Sequence, residues 1–274
     1  MDKACIILSI CFLLLTGCIS EYNEETPDLN KNRLFQKINA GYTQINFNNL
    51  NEDTDSMNFA MSDYYYLGGG VSIGDINNDS LPDIFFTGNL VSNRLYLNKG
   101  NFQFEDITES SGLLNENNWS ISTTLHDFNE DGWLDIYVSN AGMEKHYPQP
   151  ANQLFINNKN NTFTEAIEQF GLKDISMSTQ ITPIDYDLDG DLDLFLLKHI
   201  DFVNRFRKLS KLTDKYAAYE AFFDTEKKKE KWYNTLYENT GNGQFRKNTK
   251  ASGLFNWGYG LSCLLYTSPS PRDS

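Results

Sequence analysis

The residues of this chain that could do chemistry are side-chain oxygens, and they gather in three nine-residue stretches starting at Asp75, Asp127 and Asp185. Positions 1, 3, 5 and 9 supply Asp75, Asn77, Asp79 and Asp83 in the first, Asp127, Asn129, Asp131 and Asp135 in the second, and Asp185, Asp187, Asp189 and Asp193 in the third. Position 7 (Leu81, Trp133, Asp191) can add a backbone carbonyl. An all-oxygen shell of roughly six to eight ligands suits Ca²⁺, and Gly at position 6 (Gly132, Gly190) permits the sharp turn that folds the ligands inward. Mg²⁺ keeps its waters and rarely takes an all-protein cage, so Ca²⁺ is the expected ion. Without a cation the carboxylates of one loop repel one another, which makes the metal a structural member. By ligand charge the third loop should bind most tightly, then the second, then the first, where Ser80 replaces Gly. The affinities should be on the order of 10⁻⁴ to 10⁻³ M, as in extracellular modules.

The elements that must position these loops repeat with them. The loops start 52 and 58 residues apart, and each is followed by a second shared signature. That signature is Leu95 and Asn98 with Phe104, Leu154 and Asn157 with Phe163, and Leu236 and Asn239 with Phe245. A Gly-Leu pair closes each unit, at Gly112-Leu113, Gly171-Leu172 and Gly253-Leu254. Short β-branched and aromatic runs after each loop, bounded by Asn/Gly turns, predict four strands per unit. A four-stranded unit of about 50 residues has the size of a propeller blade and cannot bury both faces alone, so the units must stack around an axis. The expected fold is all-β, a partial propeller of Ca²⁺-loop blades with one helical insertion.

That insertion, about 200–232, breaks the β pattern. It carries Phe202, Phe206, Leu209, Leu212, Tyr216, Tyr219 and Phe223 near helical spacing, and its excess of Lys and Arg contrasts with a whole-chain charge of −14. It reads as an amphipathic excursion that decorates one face of the fold. The acidic balance argues against a nucleic-acid partner, which needs clustered cations to release counterions.

Both ends read as something other than fold. Residues 1–17 have the short apolar run of a secretory signal, too short to span a bilayer. The small residues before Cys18 resemble a bacterial lipobox, which makes Cys18 the expected lipidation site and 18–33 an acidic tether. The last twelve residues, 263–274, break the pattern of the rest and resemble a translated sequencing adaptor. The fold then occupies 34–262. Cys5 and Cys11 fall in the signal and Cys263 in the tail, so the folded part has no thiol and must be held by its core, by metal, or by both.

The run Gly70 to Asp79 and its two partners resemble FG-GAP/VCBS repeats, the Ca²⁺-loop blades also found in integrin α-subunit propellers. The linked pattern of acidic loop, Leu-Tyr-x-Asn, Gly-x-x-Phe and Gly-Leu is similar to that of the cartilage-acidic-protein/UnbV-like family, common among bacterial surface lipoproteins. The resemblance implies seven blades when complete; this chain would hold three and the start of a fourth at 256–262. Phe35 to Gly41 echoes the outer-strand pattern and is expected to be a strand that closes the ring by completing the last blade, with its partners in the C-terminal part beyond this chain.

Other chemistry is poorly supplied. His126, His146 and His199 lack metal-ligand spacing, no G-x-S-x-G is present, and Gly68-Gly69-Gly70 has no following Lys-Ser/Thr and reads as close strand packing. The expected function is a calcium-stabilised, lipid-anchored module on the outer membrane, displayed at the cell surface, that binds protein or glycan. The alternative is an envelope polysaccharide hydrolase or lyase with the propeller as scaffold.

Overall fold

The computed structural model describes residues 35–55, 58, 65–114, 118–140, 151–199, 233–241 and 243–252. The signal, Cys18, the tether, the insertion, Gly253-Leu254, the fourth-blade strand and the tail all lie outside these residues. Met1–Gln44 and Ile45–Ser274 form separate compact units. In the first, Asn39 caps a single helical turn, α1 (Ala40–Thr43), its side chain accepting from the Gly41 N–H at 2.8 Å. Phe35 to Asn39 form no strand here, and the partners of the ring-closing strand expected over Phe35 to Gly41 lie outside the described residues.

The second unit is built from strands. β1 (Val71–Gly74), β2 (Asp83–Phe86), β3 (Arg94–Asn98) and β4 (Phe104–Asp106) form one antiparallel sheet in sequence order. β5 (Ser120–His126), β6 (Asp135–Asn140), β7 (Gln153–Asn157) and β8 (Phe163–Glu165) form the next. β9 (Ser178–Ile184), β10 (Asp193–Lys198), β11 (Thr235–Asn239) and β12 (Phe245–Lys247) form the third. Among the described residues no helix is long and apolar enough to cross a membrane.

The sheets meet through their first strands, β1 beside β5 and β5 beside β9. The Ser72 hydroxyl donates to the Thr123 carbonyl at 2.9 Å, and the Thr124 hydroxyl to the Ile181 carbonyl at 2.8 Å. Gly70 permits this approach, since a Cβ there would lie 2.8 Å from the Ser122 Cα; within the first blade itself a Cβ on Gly69 would lie only 1.8 Å from the Thr87 carbonyl oxygen. Gly69 and Gly70 therefore serve close packing, as expected, whereas a Cβ on Gly68 would meet nothing within 4 Å.

The core lies between sheets. Ile76, Phe85, Leu95 and Leu97 of the first interdigitate with Ile136, Val138, Phe155 and Phe163 of the second, with Leu113 of the connecting turn between them. Phe128, Tyr137, Leu154 and Leu172 meet Ile181, Leu194, Leu196 and Tyr237 in the same way. Each Leu or Phe so buried contributes about 1.5–3 kcal/mol, and no sheet obtains this alone. This is blade packing, and the three sheets are consecutive blades of a partial β-propeller.

The Gly-Leu pairs make the joints. After β4 and β8 the chain turns with Gly112 (φ 79°) and Gly171 (φ 72°) in the left-handed region. The outer strand of the next sheet then docks on that turn: the Phe163 N–H donates to the Ser111 carbonyl at 2.9 Å and the Phe245 N–H to the Phe170 carbonyl at 3.0 Å.

The second joint also carries a buried ion pair at the end of the sheets away from the acidic loops. Lys198, 2% exposed, donates to Asp174 at 2.7 Å, and Lys247 stands 3.3 Å from the same oxygen. Burial opposes this charge, yet the Lys198 and Lys247 ammoniums hold the Asp174 carboxyl well below the usual carboxylate range.

Candidate metal centre

Each acidic stretch connects the first two strands of a sheet, so register fixes its ends: Gly74 pairs with Asp83, His126 with Asp135 and Ile184 with Asp193. Two residues per loop take positive φ. Position 6 is one, with Ser80 at 70°, Gly132 at 83° and Gly190 at 98°. Position 4 is the other, with Asn78 at 57°, Glu130 at 58° and Leu188 at 63°. Ser80 therefore closes the first loop as Gly closes the others.

The turns bring the side-chain oxygens over inward-pointing N–H groups. In the first loop Asp75 accepts from the N–H of Asp79 at 3.1 Å and of Ser80 at 2.7 Å; in the second Asp127 accepts from Asp131 at 2.9 Å and Gly132 at 2.7 Å. The carboxylate at position 5 accepts from the N–H at position 7 in all three loops: Leu81 at 2.8 Å, Trp133 at 3.0 Å and Asp191 at 3.0 Å.

Position 9 has a second duty that spacing did not reveal. Asp83, Asp135 and Asp193 are at most 1% exposed, and each spreads its two oxygens between two backbone donors. One oxygen accepts from position 2: Ile76 at 3.0 Å, Phe128 at 2.9 Å and Tyr186 at 3.1 Å. The other accepts at 2.8 Å from the N–H of Asn98, Asn157 or Asn239. These aspartates staple the loop to the outer hairpin of their own blade. Burial pushes the Asp135 carboxyl up to about 6 against those two N–H groups, with Asp127 and Asp131 adding to the rise.

The third loop differs in how its carboxylates converge. One oxygen each of Asp185, Asp187 and Asp193 lies within 4.8 Å of the others, and among the described residues no other cluster of three such ligands occurs. Oδ1 of Asp185 and Oδ1 of Asp191 are buried without a hydrogen-bond partner. Burial, then Asp189, Asp193 and Asp187, push the Asp191 carboxyl up to about 6. Crowded carboxylate oxygens with unfilled lone pairs fit a hard divalent cation, which removes both the repulsion and the unmet acceptors. Asp185, Asp187 and Asp193 could hold such an ion. Asp191, expected to offer its backbone carbonyl, also has a buried side-chain oxygen, but it is not part of that cluster.

Two sets of asparagines were only partly legible. Asn98, Asn157 and Asn239, recognised as a repeated signature, also donate their amides to the position-8 carbonyls of Pro82 (2.9 Å), Leu134 (3.0 Å) and Leu192 (3.4 Å). Asn157 in addition donates to the Ile76 carbonyl at 2.7 Å, tying the first loop to the second blade. The second set, Asn93, Asn152 and Asn234, accepts from the N–H groups of Gly88, Asn140 and Lys198 at 2.9 Å each. Its signal was present in the sequence, since each stands five residues before the signature asparagine. Of the histidines, His126 packs edge-on against Phe128, His199 is buried, and His146 lies outside the described residues.

The recurrence of one loop-and-sheet unit, with the same staple in each copy, sets the frame for comparison. Residues 75–138 and 127–196 match the family model described as FG-GAP-like repeat. These loop-and-sheet units are similar to FG-GAP-like repeats. Each match runs from one acidic loop into the second strand of the next blade, so it spans one loop-and-sheet unit together with the joint to its neighbour. The chain is also similar to Cartilage acidic protein 1 of Xenopus tropicalis, 31% identical over 134 residues, which is 47% of this chain and 20% of that protein. The Mus musculus protein of the same name is 38% identical over 76 residues, 28% of this chain and 12% of the relative. Human Cartilage acidic protein 1 is 38% identical over 76 residues, 27% of this chain and 12% of its own length. The chain thus spans about a fifth or less of the length of the curated relatives it matches.

Proposed function

We propose that this FG-GAP chain is a calcium-stabilised binding module, anchored by lipid at Cys18 and displayed on the cell envelope, with a protein or glycan partner and no chemistry of its own. The observation that carries the calcium reading is the third loop, where the carboxylates of Asp185, Asp187 and Asp193 converge and one oxygen each of Asp185 and Asp191 is buried without a partner. The first two loops share its spacing and turn geometry, which supports the same ion there. Anchoring and display rest on the sequence around Cys18.

Calcium titration of the full chain by calorimetry tests the metal reading, with a rise in thermal midpoint expected relative to chelator. A flat titration at millimolar calcium would sink it. Metabolic labelling with a clickable fatty acid, lost in Cys18→Ala, tests the anchor. A glycan and protein array with a hydrolase and lyase panel separates binding from turnover. Turnover abolished by replacing one pocket carboxylate would favour an enzyme.

A further inference from the structure

In the outer hairpin of each blade, the residue two past the signature asparagine donates its N–H to that asparagine's Oδ1: Gly100 at 2.9 Å, Lys159 at 2.9 Å and Gly241 at 3.0 Å. All three take positive φ, at 83°, 63° and 72°. The second blade therefore places a lysine where the other two have glycine, in a backbone conformation that an L-residue with a side chain adopts at a cost. A tolerated outlier of this kind points to a role for the side chain. The Lys159 ammonium lies 3.2 Å from Oδ2 of Asp131, the position-5 carboxylate of the second acidic loop, and 3.5 Å from the Asp131 carbonyl. That Oδ2 also accepts from the Asn129 amide at 3.1 Å. In the first and third blades the corresponding Gly100 and Gly241 have no side chain, and Lys99, one residue before Gly100, pairs with Glu105 at 3.2 Å.

We propose that Lys159 is a tethered counter-cation of the second acidic loop: its ammonium takes the Asp131 oxygen that a divalent ion would otherwise claim. This rests on reading the loops as calcium sites. The second loop is then held closed without metal and binds calcium more weakly than the first, although their ligand charges are equal. The three loops are graded, with the third metal-dependent and the second partly self-neutralised. The order expected from the sequence, third, second, first, becomes third, first, second.

The test uses the full chain, calcium as probe and two variants. Lys159→Met keeps the side-chain length and the backbone strain but removes the charge; Lys159→Arg keeps the charge. In chelator, Lys159→Met should lower the thermal midpoint by about 1–3 °C while Lys159→Arg leaves it in place. In calorimetry, Lys159→Met should tighten one calcium site about two- to fivefold, a gain lost on adding Asp127→Asn. Equal midpoints in chelator for wild type and Lys159→Met, or a Lys159→Arg variant that behaves as Met does, would overturn the proposal. Should the wild type show no calcium response, the metal reading of the loops fails on its own, and the chelator comparison still decides whether the lysine neutralises the loop.

Discussion

At the scale of single residues, aspartates of one loop do different work, and substitution should separate them. Asp185→Asn removes a ligand charge from the third loop without breaking a backbone contact, so it should abolish the calcium-dependent rise in thermal midpoint and leave the midpoint in chelator unchanged or higher. Asp135→Asn should destabilise by about 1–3 kcal/mol with and without calcium, because an amide cannot accept from both Phe128 and Asn157 and leaves one buried N–H unmet. Thermal melts of both variants in calcium and in chelator distinguish the roles. Asp174→Asn should cost about 3–5 kcal/mol, since Lys198 would stay buried with its countercharge gone. The folded-state pKa of Asp174 is depressed, so its contribution is present above the unfolded value of about 4 and declines as pH falls through the lower folded value. The gap in stability between wild type and Asp174→Asn should accordingly be constant from pH 7 to about 5 and narrow only below about 4. A gap that closes between pH 7 and 5 would contradict the ion-paired state.

Among the elements, joints are less forgiving than loops. A Cβ on Gly171 would sit 2.5 Å from the Phe245 carbonyl oxygen, in addition to its φ of 72°. At Gly132 and Gly190 the added atom meets nothing within 4 Å, and only the backbone conformation objects. Gly171→Ala should therefore lose about 2 kcal/mol or more, as the β12 edge must move off its turn, against about 1 kcal/mol for Gly132→Ala. Urea denaturation of the two variants compares them directly. The first loop already shows that position 6 tolerates a side chain, because Ser80 adopts φ 70° there.

For the whole molecule, stability resides between blades, and equivalent positions should feel it unequally. Ile73 on β1 and Leu125 on β5 each stand two residues before the first aspartate of a loop. Leu125 packs against the core between the first two sheets, whereas Ile73 is 65% exposed. Leu125→Ala should cost about 2 kcal/mol and Ile73→Ala less than about 0.5 kcal/mol. Comparable losses at the two sites would mean that the β1 face is covered by further chain.

Periodicity in the sequence was enough to define the units, because four short strands, an acidic hairpin and a Gly-Leu turn are local features repeated with little change. It located the oxygen-rich positions for the same reason, since ligand spacing within nine residues is set by one turn. What lay beyond it depended on contacts across sequence. The spacing did not distinguish Asp83, Asp135 and Asp193 as staples, because their donors at Asn98, Asn157 and Asn239 lie 15 to 46 residues away. Nor did it show that Lys159 reaches Asp131, 28 residues earlier, or that Asn157 ties two blades together across 81 residues. The echo at Phe35 to Gly41 depends on such contacts too: an outer-strand pattern makes a strand only when a neighbouring strand offers its free edge, and its expected partners lie outside the described residues. Composition and spacing determined which groups this protein has; tertiary packing decided their partners, because buried N–H groups and charges must be met by whatever the fold brings beside them.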